Sequence, residues 1–250
     1  MKNDAATAPH EPLTRYYHSE PERRQFLNGV FDRTAVHYDR IESLMSAGTG
    51  ARYRRWALVR AGLSVGMRHL DVAIGTGLVA APATTIVGPT GVVVGVDPSA
   101  GMLAQARRKL PVAVLRGIAE RLPVASTSFD FLSMGYALRH VTDLGVVFAE
   151  YFRVLRPGGR VLLLEFSRPQ SAIGGFFARF YFQRLVPGLS WLGARDREAR
   201  LLMQYCAATV DRCVEPETIV AALQSAGFSE IQHRRFGLVC EYSARRPGLS

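Results

Sequence analysis

The residues from His69 to Gly77, HLDVAIGTG, carry the first groups in this chain that could handle a charged cofactor. Gly75, Gly77 and Ala80 match G-x-G-x-x-G/A, a loop whose missing side chains let backbone approach a ligand closely at the start of a helix. Asp97 stands 20 positions after Gly77, the spacing of a carboxylate that accepts hydrogen bonds from ribose hydroxyls. Loop and carboxylate together suit NAD and S-adenosylmethionine alike. Asp71 separates the two. A pyrophosphate beside this carboxylate in a low-dielectric cleft would be repelled, whereas the sulfonium and α-ammonium of S-adenosylmethionine would be attracted. Unless Asp71 only caps the loop, the electrostatics point to S-adenosylmethionine. The glycine fingerprint taken alone leaves an NAD-dependent oxidoreductase as the competing reading.

These residues need strands and helices to hold them. Short apolar runs read as strands at 67–73, 91–96, 112–115, 129–134 and 160–166, with helices expected at 78–88, from Ser99 to 110, and at 143–155. Such alternation makes a mostly parallel sheet with helices on both faces. A capped helix at 215–227 and two strands near 230–243, too close for a crossover, suggest an antiparallel hairpin closing one edge. Residues 21–62 have helical periodicity and form a cap, and 170–212, with helices at 172–186 and 195–208, forms a helical lid. Residues 1–20 are polar and read as a flexible tail ahead of a single domain spanning 21–250. Ligands in such sheets bind beyond the carboxyl ends of the strands, which places the glycine loop and Asp97 at one crevice.

Composition bounds the rest. With 250 residues, 48% hydrophobic and 21% charged, the chain can build one sizeable core. Its three cysteines, Cys206, Cys213 and Cys240, are too far apart in sequence for a metal-ligand cluster and odd in number, which points to a reducing, cytoplasmic setting. Lys and Arg number 31 against 21 Asp and Glu, a net charge of +10 that suits an anionic partner. With no recognisable nucleic-acid module, nucleic acid is not the expected partner; an anionic membrane surface is. The aromatic and basic stretch at 174–193, with Arg179 and Arg184, fits either an interfacial helix at the inner face of a membrane or a buried part of the lid. A homodimer stays open.

The segments FDRTAVHYDRIESLMSAG, LDVAIGTG, AERLP, SFDFLSMGYALRHVTD, FRVLRPGGRVLLLEFSRP and AGFSEI occur in a familiar order. With them the chain resembles the ubiquinone/menaquinone biosynthesis C-methyltransferases from about residue 25 to 244. The resemblance implies a Rossmann-like class I methyltransferase fold with a seven-stranded, mostly parallel sheet. It also implies S-adenosylmethionine as cofactor and a ring carbon of a prenylated quinol as acceptor. Carried over by position, the cofactor site comprises Asp71, Gly75, Thr76, Gly77, Asp97, Met102, Ile118, Ala119 and Gly135, and Arg139 and Tyr38 assist the chemistry. Glu120 is expected to support the loop rather than touch ligand.

Several positions depart from the family pattern. Ile118 stands where Asp or Asn is usual, and Gly135 where Ser is common, so two hydrogen bonds to the cofactor are missing, each worth roughly 0.5–1.5 kcal/mol. Ala137 replaces Gly and His140 replaces Asn. Ring methylation needs an electron-rich carbon, which loss of a phenolic proton supplies without a metal. Arg139 remains charged and suits stabilisation of the phenolate, whereas the His140 imidazole can take the proton itself, with an unperturbed titration near pH 6.5. His140 could equally be structural. The clustered departures leave room for a non-quinone aromatic acceptor, or for a non-catalytic relative that binds quinone or lipid.

Overall fold

Parallel strands covered on both faces are largely apolar on both, and the central strands of this chain follow that pattern except for the buried polar residues His69, Asp71 and Ser133 on one face. The computed structural model describes residues 7–46, 48–166 and 197–248. Among them β1 (Arg68–Val72), β2 (Val92–Asp97), β3 (Ala113–Arg116), β4 (Phe129–Gly135), β5 (Leu155–Phe166), β6 (Ser229–Phe236) and β7 (Val239–Arg245) form one seven-stranded sheet, in the order β3-β2-β1-β4-β5-β7-β6. The first five pair in parallel, and β7 lies antiparallel to both β5 and β6. The expected α/β sheet with an antiparallel hairpin at its edge is therefore observed. One boundary differs. β5 begins at Leu155, ahead of the expected turn, because Arg156 to Gly159 form a bulge between the Phe129–Leu155 and Phe131–Arg160 pairs, with Gly158 at φ 82°.

Eight α-helices accompany the sheet among the described residues: α1 (Glu20–Thr34), α2 (Tyr38–Met45), α3 (Gly50–Arg60), α4 (Ala80–Val87), α5 (Ala100–Lys109), α6 (Leu144–Val154), α7 (Arg197–Arg212) and α8 (Pro216–Ser225). Period-two alternation assigns each strand residue to a face. Leu70, Val72, Leu132, Met134, Val161 and Leu163 pack with α6 and α8, while Phe131, Leu162 and Leu164 pack with α3, α4 and α5. Caps fix where helices start. Ser99 accepts from the Met102 N–H at 3.1 Å to open α5, and Asp143 accepts from the Gly145 N–H at 2.7 Å to open α6.

The N-terminal reading needs correction. Residues 7–19 are not a loose tail, because Leu13 and Tyr17 are buried against Leu27 and Tyr205, and Val214 N–H donates to Pro9 O at 2.9 Å. The aromatic anchors outweigh the polar composition that suggested a tail. The helical stretch from 21 divides into α1, α2 and α3, and α1 and α2 pack on α7 through Val30, Ile41, Ala199 and Leu202. The expected helix at 172–186 and the segment 174–193 lie outside the described residues.

One polar chain runs through the interior. His69 and Asp71 of β1 share a face with Ser133 of β4, and all three are buried. Ser133 Oγ donates to Asp71 Oδ1 at 2.6 Å, and His69 Nε2 lies 2.8 Å from the same hydroxyl. Since the hydroxyl proton goes to the carboxylate, His69 donates to Ser133, which makes Nε2 the protonated nitrogen. Burial lowers His69 to about 3 and pushes Asp71 up to about 7. Folded Asp71 thus holds its proton more tightly than the unfolded chain, and the stability it contributes is lost as pH rises from about 4 through about 7. Asp71→Asn removes this titration. Its stability relative to the wild type is expected to increase across that window by a few kcal/mol in order of magnitude, read from urea melts at several pH values. A constant difference at all pH values would rule the account out.

Candidate active site

β1 and β4 are neighbours whose chains leave in opposite directions, so a crevice opens beyond their carboxyl ends. Both exits are conformationally costly. Ala73 after β1 has φ 56°, and Tyr136 after β4 has φ 60°, left-handed values that a bulky side chain adopts only when its surroundings enforce them. At Tyr136 the enforcement is visible. Its N–H donates to Leu164 O at 2.7 Å, and its ring lies 4.8 Å from that of Phe166.

The first of two cavities in this crevice gathers six of the expected cofactor residues: Gly75, Asp97, Met102, Ile118, Ala119 and Gly135. Asp97 is buried, and its oxygens accept from Gly75 N–H at 2.8 Å and Ser99 N–H at 2.9 Å. Each oxygen keeps capacity for a further donor, as a ribose hydroxyl requires. Burial raises Asp97 to about 6 against the pull of these two N–H groups. Met102, Ile118 and Ala119 supply an apolar slot suited to a flat base. A Cβ at Gly135 would meet Val79 Cγ2 at 2.7 Å, so a serine here would require Val79 to move. Glu120 accepts from Thr142 N–H at 2.7 Å and ties the 117–120 loop to the segment after β4. These residues fit S-adenosylmethionine, for which Asp97 would hold the ribose and the apolar slot would take the base.

Three expected cofactor residues do not line this cavity. Asp71 lies behind the loop, buried, with Oδ1 engaged by Ser133, rather than on the cavity wall where it was expected. Thr76 is buried, and its hydroxyl donates to Asp39 Oδ1. Gly77, at φ 95°, packs so closely on Leu110 that a Cβ would lie 2.5 Å from Cδ1. Asp71 ends up in the strand behind the loop, and Thr76 and Gly77 pack into the loop's own surroundings.

The second cavity is walled by Tyr38, Ile41, Phe166, Met203, Val210 and Leu238 among others, with Arg54 and Arg139 as its cations. Phe31, Tyr38, Tyr136 and His140 line both cavities and mark where they meet. The three expected catalytic residues are thus brought together, though Arg139 faces only the second cavity. Arg139 is fully enclosed, with Nε 3.0 Å from Glu165 Oε2, while its Nη1 has no hydrogen-bond partner among the described residues. The His140 ring stacks on Tyr205 at 5.7 Å and meets Phe31 edge-on at 5.5 Å, and its Nδ1 is buried without a partner among the described residues. Burial, then the nearby cations Arg139 and Arg23, lower His140 well below the usual imidazole value, which overturns the expected titration near pH 6.5. Burial raises the Tyr38 phenol far above its ordinary value, so it stays a hydrogen-bond donor.

Residues missed in the sequence hold this site closed. Arg23 of α1 donates to Val141 O at 2.8 Å, Asp32 accepts from Ser99 Oγ at 2.5 Å and Gly101 N–H at 2.8 Å, and Asp39 joins Thr76 to Lys109. Tyr136 was missed as well. Its left-handed backbone has no marker in the sequence.

Comparison with known proteins agrees with this geometry. The ubiquinone/menaquinone biosynthesis C-methyltransferase UbiE of Saccharophagus degradans is 32% identical, covering 88% of this chain and 90% of its own. The UbiE of Pseudomonas aeruginosa is 32% identical over 99% and 100%. Among solved structures, phosphoethanolamine N-methyltransferase 2 of Haemonchus contortus in complex with S-adenosyl-L-methionine superposes with a TM-score of 0.64 at 19% identity, covering 90% of this chain and 60% of that one. A Thermotoga maritima S-adenosylmethionine-dependent methyltransferase gives 0.62 at 23% identity, over 87% and 99%. Both share the fold. The profile of the ubiE/COQ5 methyltransferase family matches residues 19–245, and the chain belongs to that family, as an S-adenosylmethionine-dependent methyltransferase.

Proposed function

We propose that this enzyme methylates a ring carbon of a quinol or closely related phenol. The observation that carries the reading is the meeting of two unlike cavities at Phe31, Tyr38, Tyr136 and His140. One offers a carboxylate and an apolar slot for a nucleoside, and the other is a largely apolar chamber of a kind that accepts a prenylated ring. When bound, S-adenosylmethionine supplies an electrophilic methyl group. Asp97 and the slot orient it, and α1 and α2 place Phe31 and Tyr38 at the junction. The departures at Ala137 and His140 lie at or beside that junction, which favours, as a second reading, a non-quinone aromatic acceptor.

The chain's own groups then manage the proton. His140 is neutral, and its unpartnered Nδ1 is available to accept from a phenolic hydroxyl. A lowered imidazole is a weak base against a phenol near pKa 10, so full transfer ahead of methylation is uphill. The hydroxyl becomes strongly acidic only as its ring carbon gains the methyl, and a weak neutral base suffices when the two events are concerted. The proton returns to oxygen as the ring carbon loses its own hydrogen to solvent. Arg139, neutralised by Glu165, donates from Nη1 to the oxygen while charge builds there.

Four outcomes test this account. Asp97→Ala is expected to weaken S-adenosylmethionine binding about tenfold or more in calorimetry, because hydrogen bonds to a charged acceptor contribute roughly 1.5–3 kcal/mol. Wild-type affinity should decline below about pH 6, where Asp97 takes up its proton. Unchanged affinity in the variant removes Asp97 from the site. For His140, kcat should be flat between pH 6.5 and 8, with its acid limb well below 6.5, since only the neutral imidazole works. His140→Asn should lower turnover about 10²-fold and abolish that limb while cofactor binding persists. Full activity with an unaltered profile would leave His140 a structural residue.

Membrane association is part of the same proposal. α3 exposes Trp56 and Val59 beside Arg52 and Arg55, which with the +10 charge supports reversible binding to anionic bilayers. Among the described residues no helix is long and apolar enough to cross a membrane. Co-sedimentation with anionic vesicles should fall as salt rises, exposed charges being screened beyond about 8 Å at physiological ionic strength. Equal binding to neutral vesicles would refute the electrostatic part.

A further inference from the structure

The acceptor chamber holds a second charged pair, outside the lining of the cofactor cavity, that the chemistry above does not use. Arg54 of α3 is buried, and its Nη2 lies 2.7 Å from Oε1 of Glu42 on α2. Both residues line the chamber and neither lines the cofactor cavity. Arg54 Nε has no hydrogen-bond partner among the described residues. A guanidinium taken from water with a donor unmatched is a costly arrangement unless something else satisfies it.

Two further features aim this pair at a ligand. The Arg54 guanidinium sits 5.4 Å from the Tyr136 ring centroid, Tyr136 lies 4.8 Å from Phe166, and Arg139 sits 5.3 Å from Phe166. Along the chamber two guanidiniums, Arg54 and Arg139, are therefore separated by two aromatic rings, and Arg54 is paired with a carboxylate, Glu42, that also lines the chamber. At that pair, a Cβ on Gly50 would meet Glu42 Oε1 at 2.4 Å and Arg54 Nη1 at 2.6 Å. A side chain on this first residue of α3 would displace the tips of both members of the pair.

We infer that the Arg54–Glu42 pair is a second anchor for the acceptor, binding a hydroxyl on the ring at the end away from the oxygen held by Arg139. The inference rests on the proposed ring acceptor and adds its specificity. The pair is neutral overall, and that selects the chemistry. A hydroxyl can accept from Arg54 and donate to Glu42. A carboxylate would face repulsion from Glu42, and a bare ring carbon would leave both charges without a partner. The enzyme accordingly demands two oxygens on its acceptor.

The test pairs two acceptors carrying the same prenyl chain: a 1,4-dihydroxy ring, and the ring with one hydroxyl replaced by hydrogen. Wild type should prefer the diol about 10- to 100-fold in kcat/KM, the range expected for one hydrogen bond to a charged group. In Arg54→Met, in Glu42→Gln, and in Gly50→Ala, which displaces the pair without discharging it, the preference should collapse toward unity. The diol loses rate mainly through KM while the mono-ol is little altered, and Arg54→Lys should restore part of the preference. A merely structural pair would slow both acceptors in parallel and keep their ratio, and that result overturns the inference. Should Arg54→Met fail to fold, Gly50→Ala and Glu42→Gln give the same readout. Equal use of diol and mono-ol by the wild type overturns the second anchor alone. Failure to methylate either, with S-adenosylmethionine binding intact in calorimetry, overturns the ring-acceptor reading together with it.

Discussion

The divergence of β1 and β4 is the constraint on which the molecule depends. Two adjacent parallel strands whose chains part to opposite sides leave a crevice that neither following helix can fill. The chain must turn sharply at both exits, and it does so with Ala73 and Tyr136 in left-handed conformations. That strain is held by the surrounding sheet, which is buried on both faces and resists local relaxation. One exit feeds the cofactor loop and the other presents a tyrosine to both cavities.

A crevice open to water would be of little use for transferring a methyl group to carbon. The N-terminal helices close it through polar ties: Arg23 to the 139–141 segment, Asp32 to the start of α5, and Asp39 to the glycine loop. The first two ties engage backbone groups or a helix cap that would otherwise need solvent, and the third engages the buried Thr76 hydroxyl. Behind the loop, His69, Ser133 and Asp71 form a dry polar chain that couples β1 to β4. The dry setting explains why so many groups here depart from their usual acidity. Carboxylates rise, imidazoles fall, and the site becomes one in which charges exist mainly as pairs.

The departures from the family pattern acquire physical meaning in this setting. Gly135 faces Val79, whose methyl group occupies the space a serine Cβ would take, so the two positions must change together. His140 gains stacking on Tyr205 and contact with Phe31, which fixes the ring at the junction whatever its proton does. Ile118 keeps its place in the apolar slot, where it contributes packing in place of a hydrogen bond.

The mostly parallel sheet, its hairpin edge and the nearness of Asp97 to the glycine loop could be read from the chain, because period-two patterning and a loop-to-carboxylate spacing are local properties of sequence; the order of the strands could not. The roles of Asp71 and Thr76 could not. Their residue types suit a ligand, but the direction of a side chain depends on which face its strand presents and which helix lands opposite. Residues 7–19 read as tail because few apolar groups are spread among many polar ones, and only the approach of α7 gives Leu13 and Tyr17 something to bury against. Likewise, no spacing links Glu42 to Arg54, Arg139 to Glu165, or Tyr136 to both cavities. Sequence determined what each element is; the tertiary structure alone decided which charges meet, because ion pairs between separate elements form only where packing has already excluded the water that would dissolve them.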